Sequence, residues 1–269
     1  MPIHRVICDW NGALFKDRDE GKLWEYVGKA ALKDSTVLGY VPMPRTVELL
    51  GAMLKLKNLV GAYKRGEIGY DEIYRVFNER VLRDLPSHAV PVYVEAYARM
   101  DTTKAKVDGR LLRPLAKVHE DQATSSAILS TGYRYGIRRV LQNAYPSSNK
   151  HPYHDAYPFY LIAANELVPI GVDKGVRFDL DIFTGDSKLT VLRQKLLGLP
   201  VNSPRDTDKT LYIGDSSTDE PCMRHIKSAG GHVAAPFFAD DAFKQRIARE
   251  YDAFVPESEA DFLNFLRKA

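Results

Sequence analysis

Three short runs constrain this chain more than anything else in it. Arg5–Cys8, Ala127–Leu129 and Thr210–Ile213 are continuous apolar stretches, and each stops abruptly at small polar or acidic residues. The stops are Asp9-Trp10-Asn11-Gly12, Ser130-Thr131-Gly132 and Gly214-Asp215. A strand that is apolar on both faces belongs inside a parallel sheet covered by helices on both sides. In such sheets the ligand site lies beyond the carboxyl ends of the strands. The predicted fold class is therefore α/β, with a Rossmann-like parallel core.

Between the first two runs lie about 110 residues of different character. Leu49, Leu50, Met53, Leu54 and Leu56 recur at helical spacing within Thr46–Lys57, and Tyr70–Leu82 shows a second helical pattern. The spacing predicts a helical cap over residues 17–105, with residues 1–16 and 106–269 forming the core. Its junctions fall in the polar stretches Lys16–Glu20 and Asp101–Gly109. Further strands are predicted over Phe159–Leu167 and Val176–Phe183, as a hairpin around Asp173-Lys174-Gly175. Tyr145–Pro158 reads as an exposed loop, and Thr190–Leu197 as a helix stopped by Gly198.

Composition narrows the partners. The 269 residues carry 38 basic and 35 acidic side chains, a net +3, too small and too evenly spread to imply nucleic-acid binding. No stretch approaches the ~18 apolar residues of a membrane span. Cys8 and Cys222 stand far apart in sequence and read as free thiols in a reducing compartment, so the expected location is the cytoplasm. Nothing in the sequence specifies an oligomeric state.

Phosphoryl transfer to a carboxylate needs a nucleophile, a divalent cation, donors for the phosphoryl oxygens and a fixed positive charge. Asp9 follows the first strand, Ser130-Thr131-Gly132 the second, and Asp215 and Asp219 the third, while Lys188 precedes an apolar helix. The order and context of these segments resemble the four motifs of the haloacid dehalogenase (HAD) superfamily. Val6–Leu14 is similar to its first motif, an apolar strand followed by Asp-x-Asp-Gly-Thr-Leu. Ile128-Leu129-Ser130 resembles the second, Lys188 in Gly185–Lys188 the third, and Tyr212–Asp219 the fourth. Ala164-Asn165-Glu166-Leu167, a glycine-containing turn and then Lys188 look like the phosphoserine phosphatase branch, which carries a helical cap after its first motif.

That resemblance implies a magnesium-dependent phosphatase acting on a small phosphorylated metabolite through an aspartyl-phosphate on Asp9. Mg²⁺ would be held by the Asp9 and Asp215 carboxylates and the Asn11 main-chain carbonyl. Ser130, with Thr131, Gly132 and nearby amides, would bind phosphoryl oxygens, Lys188 would neutralise them, and Asp219 would orient Lys188 or the metal shell. Two positions depart from the pattern. Asn11 replaces the aspartate that protonates the leaving group, and Ala13 replaces a threonine. The alternative they support is a regulatory protein that binds metal and phosphate but turns nothing over. Dehalogenation ranks lower, because the superfamily's dehalogenases lack the Gly214–Asp219 arrangement in this form.

Other polar residues have simpler readings. Lys174 and Lys195 are predicted surface charges and Asp186 a helix cap. His151 and His154, with Asp155 beside them, suggest a metal cluster, but no further ligand follows at zinc-like spacing. Lys64-Arg65-Gly66-Glu67 reads as a solvated turn, and Trp24 and Tyr26 as packing residues.

Overall fold

A computed structural model describes residues 3–17, 21–38, 57–62, 65–83, 87–146, 154–171, 174–178, 184–197 and 204–268, with a few single positions between these segments. Strands β1 (Arg5–Cys8), β2 (Ser125–Tyr133), β3 (Phe159–Asn165), β6 (Thr210–Ile213) and β7 (His232–Ala234) form one parallel sheet in the order β3-β2-β1-β6-β7. The chain leaves β1 to build one side and returns to the other side with β6. The carboxyl end of β1 thus lies where the strand order reverses, the position at which such sheets hold ligands.

Alternation along β1 divides the core. Val6 and Cys8 point into one apolar cluster with Ile128, Leu211 and Ile213, while Ile7 points into the other with Ala127, Leu129 and Tyr212. Helices α5 (Gly109–Gln122), α6 (Arg134–Ala144) and α10 (Glu259–Lys268) cover the first face. Helices α7 (Gly185–Val191), α8 (Glu220–Ser228) and α9 (Asp241–Tyr251) cover the second. The α/β fold class expected from the three apolar runs is the one observed.

Helices α1 (Gly21–Leu38), α2 (Tyr70–Val76), α3 (Val90–Arg99) and the short α4 (Asp101–Lys104) lie between β1 and β2. Residues of α1 and α3, with Phe77 just after α2, form a third cluster around Leu23, Trp24, Val27, Val94 and Tyr97. Trp24 packs edge-on to Phe77 and against Tyr133, and Tyr26 packs on Tyr97, so both are packing residues. The two ends of this segment meet: Lys16 N–H donates to the Lys106 carbonyl and Asp108 N–H to the Leu14 carbonyl. Most of the Thr46–Lys57 pattern, with Glu20 and Lys64, lies outside the described residues.

Several local expectations shift. Tyr70–Leu82 changes at Phe77 from α-helix to a wider π-helical turn, and the helix predicted over Thr190–Leu197 starts earlier, at Gly185, and turns π-helical over Leu192–Leu196. The predicted strand Phe159–Leu167 breaks at Glu166: β3 joins the main sheet, and the hairpin is instead β4 (Leu167–Gly171) with β5 (Lys174–Phe178). Asp173 and Gly198 lie outside the described residues. Among the described residues no helix is long and apolar enough to cross a membrane. Cys8 and Cys222 are free and buried.

Candidate active site

Lys188 organises the site. It sits in the first turn of α7, 1% exposed, and its ammonium donates to Asp9 Oδ1 at 2.9 Å and to Asp219 Oδ1 at 2.7 Å. The helix is started there by a reciprocal cap, in which Ser187 N–H donates to Thr184 Oγ1 and Thr184 N–H to Ser187 Oγ. Asp186 lies in the first turn without capping it, which corrects the sequence reading: Thr184, two residues earlier, takes that role. Lys195 is exposed, as expected.

Asp219 is fully buried and its oxygens are crowded with donors. Oδ1 accepts from Lys188 and from the Tyr212 hydroxyl, and Oδ2 from the Ser216 hydroxyl at 2.9 Å and the Asp215 and Ser216 amides at 3.3 Å. A carboxylate so engaged orients its neighbours and has little capacity left for a ligand of its own. Asp215 ends the same loop, and one carboxylate oxygen from each of Asp9, Asp215 and Asp219 lies within 4.8 Å of the others.

The loop after β1 is held by main-chain bonds: Asp9 N–H donates to the Ile213 carbonyl, Phe15 N–H to Trp10, and Gly12 N–H to Phe15 and Asp17. Gly12 has φ +76°, and a Cβ there would stand 1.9 Å from Asp215 Oδ2, so only glycine allows Asp215 to approach. Asn11 is 7% exposed, and its side-chain oxygen is buried without a hydrogen-bond partner.

Ser130, Thr131 and Gly132 lie within β2 rather than after it. Pairing jumps from Leu129↔Ala163 to Tyr133↔Asn165, so the three residues bulge out of register with β3. The parallel register sets Ile128 beside Cys8, which puts Ser130 two steps further along, at the same end of the sheet as Asp9. Ser130 Oγ accepts from Gly132 N–H, and the Thr131 carbonyl accepts from Asn165 Nδ2.

Asn165 and Tyr212 escaped sequence reasoning. Asn165 also exchanges two bonds with the Ile182 main chain, tying the bulge to the segment before α7. Its signal was a polar residue ending an apolar strand. In the sequence Tyr212 is one more residue of an apolar strand; its hydroxyl donates to Asp219 Oδ1. His154 packs with His119 and Tyr157, and Asp155 binds Arg134 and the Ile162 amide; His151 lies outside the described residues. Arg65 and Glu67 pair with each other in an exposed turn.

The electrostatics suit a divalent cation. Three buried carboxylates face one buried ammonium, and burial penalises the excess negative charge. Burial pushes the Asp9 carboxyl up to about 7; Lys188 pulls it down and Asp219 adds to the rise. Burial opposes the Lys188 charge, but Asp219 and Asp9 together raise its pKa well above the usual lysine value. Hard, buried carboxylate oxygens in excess over cations are a donor set for Mg²⁺ rather than for a soft metal.

No family profile matches the sequence. Signal peptidase I V of Bacillus subtilis (strain 168) is 38% identical over 68 residues, 24% of this chain, and the match spans 39% of that protein's length. That local likeness shows no family. A HAD family hydrolase of Salmonella enterica serovar Typhi superposes with a TM-score of 0.59 at 16% identity, covering 100% of this chain and 73% of that one. A substrate-bound phosphoserine phosphatase gives 0.58 at 12% identity over 99% of this chain and 100% of its own. Cytosolic 5′-nucleotidase IIIB bound to cytidine gives 0.55 at 14%, over 98% and 86%. At these identities the fold is what is shared, and this chain has the haloacid dehalogenase fold.

Proposed function

We propose that this protein is a magnesium-dependent phosphatase that transfers the phosphoryl group of a small metabolite to Asp9. The observation that carries the reading is the buried Asp9–Lys188–Asp219 network, with Asp215 alongside, at the switch point of the sheet. The HAD-type hydrolases and phosphatases that share the fold support it.

The Asp9 and Asp215 carboxylates and the Asn11 main-chain carbonyl would hold the cation. When bound, the cation would neutralise phosphoryl charge and aim it at the nucleophile. Lys188 keeps one Asp9 oxygen fixed at 2.9 Å and supplies a positive charge that needs no rearrangement during the reaction. Asp219 and Tyr212 hold Lys188 in place. The bulge at Ser130–Gly132 offers a hydroxyl and main-chain amides for the phosphoryl oxygens.

The paired junctions at Lys16/Lys106 and Leu14/Asp108 support dividing the chain into a core (1–16 and 106–269) and a helical cap (17–105). The cap would exclude water and select the substrate. The test is a panel of phosphorylated compounds with and without Mg²⁺, run on this chain and on Asp9→Asn. The expected result is metal-dependent release of phosphate that Asp9→Asn abolishes. Binding of Mg²⁺ and phosphate without turnover would favour the regulatory alternative, and full activity in Asp9→Asn would exclude the covalent route.

A further inference from the structure

In the phosphatase reading the residue two beyond Asp9 is the one that would protonate the leaving group, and here it is Asn11. Its Oδ1 is buried without a hydrogen-bond partner, and the residue lines a cavity of about 20 Å³ together with Trp10, Phe15, Leu23, Tyr97 and Ile137. That volume suits about one water. The walls are apolar and aromatic, with no carboxyl or imidazole group among them.

Among the described residues, the ionisable groups around Asp9 already hold other partners. Lys188 is bonded to two carboxylates, and Asp219 is saturated with donors. The Cys8 thiol donates to the carbonyl of Asp9 itself. Asp17, whose carbonyl is bonded to the Gly12 amide, has its carboxylate tied to Lys22 and Lys106. The Asn11 amide can offer the leaving oxygen a hydrogen bond but not a proton.

We infer that this site is specialised for phosphoryl donors whose leaving group departs as a stable anion: acyl phosphates, phosphoanhydrides, and enol or aryl phosphates, in preference to alkyl phosphate esters. This rests on the phosphatase reading. An Asp9 oxygen bonds to phosphorus as the bond to the leaving oxygen breaks. That oxygen keeps the electron pair and departs unprotonated, taking a proton from solvent only after release. Water then attacks phosphorus, the bond to Asp9 breaks with its electron pair returning to the carboxylate, and the proton of the water passes to solvent as phosphate forms. In the second step the missing group is a base for the attacking water; Asn11 cannot take that proton, which slows this step equally for every donor, and kcat/KM does not report it. A general acid is worth about 10²–10⁴ in rate. Alkyl esters forfeit that factor here, and stable leaving groups do not.

The test is kcat/KM, which reports the steps through loss of the leaving group, for acetyl phosphate, nitrophenyl phosphate, phenyl phosphate and glycerol phosphate. It is measured with Mg²⁺ for this chain and for Asn11→Asp. The parent is expected to fall steeply along the series. Asn11→Asp should raise glycerol phosphate by about 10²–10⁴, equal to ~2.7–5.4 kcal/mol at 1.36 kcal/mol per decade, and nitrophenyl phosphate by less than about tenfold. A parent that cleaves glycerol phosphate within about tenfold of nitrophenyl phosphate overturns the inference while leaving the phosphatase reading intact. So does an Asn11→Asp protein that gains equally on both, or on neither. No turnover of any compound by either protein overturns both readings.

Discussion

Replacing Lys188 by methionine removes the one ammonium in the buried network and keeps its bulk. Lys188 is 1% exposed and makes two ion pairs, so water cannot take its place on Asp9 and Asp219. Removing one partner of a buried pair costs about 3–5 kcal/mol, because the remaining charge is left uncompensated. Asp219 keeps its Tyr212, Ser216 and main-chain donors, so the cost falls mainly on Asp9. Asp9 can relieve it by taking up a proton.

In the parent, burial already pushes Asp9 up to about 7, with Lys188 holding it down. Without Lys188 it rises further, above the ~3.9 of an unfolded aspartate. A raised folded pKa means that the native state binds more protons, so stability falls as pH rises toward that pKa. The parent stops losing stability near pH 7, whereas Lys188→Met continues to lose up to ~1.4 kcal/mol per pH unit above it. Urea unfolding in chelator at pH 6 and pH 8.5 reads this directly. The expected deficit is smaller at pH 6 and reaches about 3–5 kcal/mol at pH 8.5. A deficit below about 1 kcal/mol, or one equal at the two pH values, would refute the reasoning.

Other outcomes follow from the same contacts. Gly12→Ala should displace Asp215 and adopt a φ that costs about 1–3 kcal/mol, so Mn²⁺ affinity measured by calorimetry should drop well beyond any loss of thermal stability. Asn165→Ala removes three hydrogen bonds, one to the Thr131 carbonyl and two to the buried Ile182 main chain, and at about 1–3 kcal/mol per buried group it should lower stability by at least ~2 kcal/mol in urea unfolding. Burial raises the Asp17 carboxyl, but the Lys106 and Lys22 bonds outweigh it and leave the pKa lowered. The stability that Asp17 contributes is therefore present above its unfolded pKa of ~3.9 and lost as pH falls through its lower folded value. Asp17→Asn should thus be less stable than the parent at pH 6, with the gap closing toward pH 3.

Asp9, Lys188, Asp215 and Asp219 were legible in the sequence because each follows a strand too apolar to be anything but buried, or opens a helix. A parallel sheet then brings their ends together. Asn165 and Tyr212 were not, since each matters through a contact between distant segments, 165 with 131 and 182, and 212 with 219 across the turn. The bulge at Ser130–Gly132 was hidden because small polar residues read as the end of the strand, and only the pairing with β3 shows that the strand continues out of register. The π-helical turns at Phe77 and Leu192 follow apolar periodicity well enough to read as α-helix. The break at Glu166 was missed because the apolar residues on either side of Asn165-Glu166 read as one continuous strand.

The most direct test of the central claim is to quench a first turnover with nitrophenyl phosphate in acid, reduce the protein with borohydride, and locate the modification by peptide mass spectrometry. An aspartyl-phosphate is reduced to homoserine, and the account predicts homoserine at position 9 in Mg²⁺-containing samples only. Turnover with an unmodified Asp9, or with phosphate carried on Ser130, would contradict it.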